Sequence, residues 1–159
     1  VTDFKAQPTH LGANLVTQTE GTFTPSFTFA TPGTSSFAYS SQSGDWIRTG
    51  KLVDFSVYVV TTSLTKGTGA GAFRLDLSGI GVTPSGRMGW GTLLLDPAQI
   101  DLAAVGGQDP IDTVFRIDPG TTYATMHYTS QSYAQQTVTI DNFETGGMTF
   151  WMRGGFRVA

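Results

Sequence analysis

The longest ordered pattern in the chain runs from Leu52 to Thr62. Val53, Phe55, Val57 and Val59 fall on one face of an extended ribbon, and Leu52, Asp54, Ser56, Tyr58 and Val60 fall on the other. Successive side chains of a strand point to opposite faces, so this run predicts a central strand. Phe73, Leu75 and Leu77 alternate with Arg74, Asp76 and Ser78, which predicts a strand with one wet face. Phe23, Pro25, Phe27 and Phe29 alternate with Thr and Ser. The proline has no N–H to give a ladder, so this strand is expected at a sheet edge.

Shorter segments follow the same logic. Phe37 to Tyr39 predicts a short strand, Ser41 to Gly44 a turn, Trp46 to Arg48 a further strand, and Gly50-Lys51 a tight turn. Lys66 to Gly71 reads as a flexible hairpin loop. Strands are expected over Gly86 to Leu95, Val114 to Ile117 and Tyr123 to Tyr128, the last two joined by the turn Asp118-Pro119-Gly120-Thr121. Thr137 to Ile140 and Met148 to Val158 complete the set. The final strand is apolar on both faces (Met148, Phe150, Trp151, Met152) and needs cover on both sides. It must be central in the sheet of a monomer, or give one face to another chain.

Helical periodicity is confined to Asp96 to Leu102, where Asp96 can cap one turn with Pro97 at its first position. Pro97 to Pro110 is a long connection. Residues 1–20 are polar without alternation and are expected to form an arm or linker. Residues 21–159 then form one domain. Many short strands separated by turn signals predict an all-β, antiparallel sandwich or barrel.

Composition sharpens this picture. Charged residues are 13% of the 159, about half the usual share, yet aromatics reach 12% and Thr and Val are abundant, which separates the chain from disordered ones. The net charge is −3, and the nine Lys and Arg residues are scattered singly, which argues against nucleic acid and anionic membrane as partners. No apolar run reaches the ~18 residues of a membrane helix, so membrane insertion is not expected. Cysteine is absent, so disulfides and thiolate metal sites are excluded. The first residue is Val1, which points to a piece of a longer protein.

The residues offer little for catalysis. Nucleophilic chemistry needs a base beside the nucleophile, and the two histidines are His10, in the expected arm, and His127, on a strand between Met126 and Tyr128. Glycoside cleavage usually needs two carboxylates across a cleft, but the two glutamates, Glu20 and Glu144, lie at opposite ends of the chain. Asp96, Asp101, Asp109, Asp112 and Asp118 gather around one connection; they read first as turn-formers and solvated loop residues, with Ca²⁺ binding through several oxygens or an acid/base pair as the alternatives. In Lys66 to Gly71 the lysine precedes the glycines and no helix follows, so the segment is not a phosphate loop. Neither an enzyme nor a cofactor or metal is expected.

Aromatic side chains are the remaining candidates, because sugar C–H faces stack on rings while polar neighbours bond the hydroxyls. Trp90, flanked by Gly89 and Gly91, and Tyr133 lead this set. Gln131 lies in the Ser130-Gln131-Ser132 loop, and Tyr123, Tyr128 and Tyr133 lie near it. Trp46 and Trp151 are expected to be structural.

Three stretches carry a family likeness. Glu20-Gly21-Thr22-Phe23-Thr24-Pro25 resembles the opening G-T-W/F-T-P of a β-sandwich domain found at the C-termini of bacteriophage tail fibres and tailspikes. Ser41 to Val53 is similar to that family's Q-x-G-x-Y-x-R-I-G-x-x-V. Asp141-Asn142-Phe143 with Phe150 to Val158 is similar to its closing F…I-x-x-S-G-x-Y-x-V. The order and spacing match over roughly residues 20 to 159. Trp46 stands where Tyr is usual, Thr49 where Ile is usual, and Gly154-Gly155 where Ser-Gly is usual.

The resemblance implies a jelly-roll-like receptor-binding domain on the phage tail, outside the cell. It would be a homotrimer, attached to an upstream part of the same fibre, that adheres to host surface glycans. A weakly charged surface suits neutral glycans. The alternative is a trimerisation or folding cap for a longer fibre, without a ligand.

Overall fold

In a computed structural model the described residues are 17–85, 88–95, 110–130 and 135–159. They form one antiparallel sheet. In chain order its strands are β1 (Gln18–Phe23), β2 (Ser26–Thr31), β3 (Ser36–Thr49), β4 (Leu52–Thr65), β5 (Ala70–Asp76), β6 (Gly89–Leu95), β7 (Pro110–Ile117), β8 (Tyr123–Ser130), β9 (Gln135–Thr137) and β10 (Thr149–Arg157). The spatial order is β1-β3-β4-β10-β6-β7-β8-β5-β2, with β9 added beside β8. The sheet curls until its halves face each other, as in a sandwich. Phe27 of β2 meets Phe150 of β10 with ring centroids 4.5 Å apart, and Phe73 of β5 meets the same ring at 5.9 Å.

The two edges of the sheet, β1 and β2, are joined by the dipeptide Thr24-Pro25. The alternation of Phe23, Phe27 and Phe29 is therefore carried by two edge strands rather than one, with Pro25 in the connection between them. Side chains complete the seam. The Tyr39 hydroxyl accepts from the Phe27 amide at 2.7 Å, and Gln42 Nε2 donates to the Pro25 carbonyl at 2.7 Å. Burial raises the Tyr39 hydroxyl pKa above its ordinary value, partly offset by its bond to Phe27.

Leu52 to Thr62 lies within β4, a central strand flanked by β3 and β10, and Val53, Phe55, Val57 and Val59 are buried as the alternation requires. The Asp118–Thr121 turn joins β7 to β8, with Gly120 at φ 76°. Gly50, at φ 60°, turns β3 into β4.

Several expectations are corrected. Ser41 to Gly44 is not a turn, because β3 runs unbroken from Ser36 to Thr49 with an irregularity near Tyr39. Gly44 is buried opposite Val57 because the Phe23 ring covers it. A Cβ there would stand 2.5 Å from Phe23 Cε1. Lys66 to Gly71 is not a hairpin loop, since β4 and β5 do not pair. It carries the chain between layers and is tied to the β2–β3 turn by reciprocal bonds between Thr34 and Thr68 at 3.1 Å. Thr137 is the last residue of β9, and the chain then makes a 3-10 turn at Ile140–Asn142 instead of extending. Gln18 to Glu20 belong to β1, paired with Ile47 to Thr49, so the sandwich begins before residue 21. The Asp96–Leu102 turn falls outside the described residues.

His127 illustrates how burial acts on a titratable group. It is buried on β8, with Nδ1 3.3 Å from Thr137 Oγ1. Desolvation and then the Arg116 charge lower its pKa below 6.5, opposed by Asp118 and a backbone bond with Gln136. The unfolded chain therefore takes up the proton at higher pH than the folded one. Stability is full above the unfolded value of 6.5 and falls as the pH drops below it toward the folded value. Thermal melts from about pH 7.5 to about pH 5.5 are expected to show a falling Tm, and His127→Gln is expected to flatten that slope. An equally steep slope in the variant would remove His127 as its source.

Candidate functional site

The outer face of β3, β4, β10 and β6 is built by register. Directly paired residues form rows across these strands: Ser43–Tyr58–Trp151–Leu94, Asp45–Ser56–Arg153–Thr92, and Ile47–Asp54–Gly155–Trp90. Inner-face partners of the same strands, such as Phe55, Val57, Phe150 and Met152, are buried in the core. The exposed large apolar side chains among the described residues are Ile47, Leu52, Met88, Trp90, Leu94 and Trp151, and each lies on this face or at its rim. Trp90 is 69% exposed, Leu94 72% and Trp151 48%. Apolar side chains gathered in this way mark an interaction surface, whereas scattered ones need no explanation.

The row containing Gly155 has a gap. Asp54 stands on one side of it and Trp90 on the other, two strand spacings apart, about 10 Å. Along β10 the same face carries Arg153 before the gap and Arg157 after it. A Cβ on Gly155 would lie 2.9 Å from Asp54 Oδ1, so the carboxylate leans over the floor. The result is a concavity of about 530 Å³ lined by Leu52, Asp54, Met88, Trp90, Arg153 and Arg157, within the size range of small-molecule sites. Among the described residues Arg153, Arg157 and Asp54 form no ion pair. A second, smaller depression of about 280 Å³ lies over the Tyr58–Trp151 pair, whose ring centroids are 5.3 Å apart.

The other expected aromatics do not join this site. Tyr128 is 2% exposed and part of the hydrophobic core, so it presents no surface to a ligand. Alternation on β8 places it with Ala124 and Met126 on the inner face. Tyr123 lies on β8, with β7 between it and the strand of Trp90, and its ring carries the Arg74 guanidinium 4.0 Å from the centroid. Tyr133 and Gln131 lie outside the described residues.

Trp46 is half-buried against the core, as a structural residue should be, while Trp151 is on the exposed face. Arg153, Arg157 and Asp54 were not singled out from the sequence. The alternation of Met148 to Val158 places the two arginines on the face of Trp151, but nothing local places them beside Trp90. Of the clustered aspartates, Asp118 pairs with Arg116 at 3.1 Å and Asp112 is exposed. No group of acidic and histidine side chains suited to a metal occurs among the described residues.

No family model matches the chain, and no curated protein matches it significantly. A solved structure, that of the Dettilon tailspike protein, superposes with a TM-score of 0.60 at 21% identity, over 89% of this chain and 24% of that one. The chain has a tailspike-like fold. It spans about a quarter of the length of that tailspike protein. The tailspike-like sandwich places the glycine gap and both exposed tryptophans on one open sheet face.

Proposed function

We propose that the chain is a host-attachment domain of a tailspike-like or tail-fibre-like protein, carried on the virion and binding surface glycans as a homotrimer. The observation that carries this reading is the concavity at Gly155, where an exposed indole wall faces a carboxylate and two guanidiniums. Carbohydrate recognition needs a ring to stack on and a few fixed polar groups to bond hydroxyls. Three copies on one fibre raise avidity by orders of magnitude without new contacts. The reading is one of adhesion rather than cleavage, and release of reducing ends from bound polysaccharide would overturn that part.

A second reading is favoured by the apolar row of Tyr58, Trp151 and Leu94, which suits contact between subunits. In that case the domain is a trimerisation cap, and its exposed face is an interface.

Sedimentation and a printed array of bacterial surface glycans separate the two. The expected result is a particle of three chains that binds glycan, with Trp90→Ala weakening binding on the order of tenfold or more at unchanged mass. A trimer that binds no glycan and no host cell would establish the cap instead.

A further inference from the structure

We infer that the Gly155 concavity selects a glycan residue bearing a carboxylate, such as a hexuronate. The inference rests on the attachment reading above and names the ligand class of the same site.

The argument is one of charge and position. Gly155 removes one side chain from an otherwise complete outward array, leaving a slot with Asp54 and Trp90 as side walls. Arg153 and Arg157, four residues apart on one strand, stand at its two ends, about 13 Å apart along the backbone. The slot itself is lined by two guanidiniums and one carboxylate, in a chain whose net charge is −3. A second carboxylate, Asp45, shares only the adjoining depression beside Arg153 and leaves the Arg157 end with no acidic neighbour in the lining besides Asp54. Neither guanidinium has an acidic partner among the described residues. By contrast, Arg116, on the far side of Trp90 in the same row, is already paired with Asp118.

An arginine fork matches a carboxylate in a bidentate manner and forms stronger bonds than a neutral donor. A sugar stacked on Trp90 would direct hydroxyls at Asp54 and its carboxylate at one end of the slot, away from Asp54. A neutral sugar would offer the two guanidiniums no charged partner.

The test uses the whole chain on an array printed with hexuronate-containing bacterial polysaccharides, each paired with its carboxyl-reduced form, in which the carboxylate has become a hydroxymethyl group. Arg153→Gln and Arg157→Gln are surface substitutions assayed beside the parent protein, with sedimentation of all three. The expected result is binding of the acidic forms that falls about tenfold or more on carboxyl reduction, with a comparable loss in at least one variant at unchanged mass. Equal binding of native and reduced forms would overturn the acidic class and leave the attachment reading standing. Binding of glycan unaffected by either substitution would place the ligand elsewhere. Variants that dissociate the particle while the remaining chains bind glycan normally would show that a second copy occupies the slot. Binding to no glycan at all would remove the attachment reading and this inference together.

Discussion

Phe73→Ala is expected to lower the free energy of unfolding by about 3–5 kcal/mol. Phe73 is fully buried on β5, where the two halves of the curled sheet meet. Its ring lies 4.7 Å from that of Phe143, 4.9 Å from Phe27 and 5.9 Å from Phe150, centroid to centroid. These neighbours come from different strands and from the residue after the 3-10 turn, so no single movement can fill the space left by the ring. Cavity cost then adds to the lost transfer energy. A loss of this size is a large part of the ~5–15 kcal/mol that holds a domain folded. Urea unfolding checks it, and a loss below about 1 kcal/mol would mean that the aromatic cluster repacks freely.

Gly154→Ala is expected to destabilise by about 1–3 kcal/mol through overpacking, although Ala is otherwise at home in an extended conformation. Gly154 faces the core opposite Gly91, and a Cβ there would stand 2.7 Å from the Trp90 carbonyl oxygen, 2.8 Å from Gly91 Cα and 3.1 Å from Phe55 Cζ. The first two are backbone atoms, which cannot swing aside as a side chain can. Relief requires β6 to move away from β10, and Trp90 moves with it. The same substitution should therefore disturb glycan binding. Unfolding and array binding measured together check this. Full stability with unchanged binding would show that the two strands can separate at no cost.

These glycines show where local reading falls short. Gly89 and Gly91 flank Trp90 in sequence as though they presented the ring. The ring is indeed exposed, but the glycines have another purpose. Both point inward, where a Cβ on Gly89 would meet Phe156 Cβ at 2.6 Å and one on Gly91 the Arg153 carbonyl at 2.9 Å. They let β6 pack closely, and alternation alone turns Trp90 outward. Tyr128 shows the converse. Its neighbours in sequence suggested a loop site, but its parity with Met126 sends the ring into the core.

The sequence by itself determined the all-β character, the buried faces of β4 and β5 and the turn at Asp118 to Thr121. Each of these follows from the period-two alternation of side chains or from the backbone limits of proline and glycine, which act within a few residues. Only the tertiary structure decided that β3 is continuous through Gly44, that residues 66–69 cross between layers, and that Gly155 lies between Asp54 and Trp90. Those facts depend on which strands become neighbours, and that choice is made by pairing and packing between residues up to about a hundred positions apart, of which a local pattern carries no record.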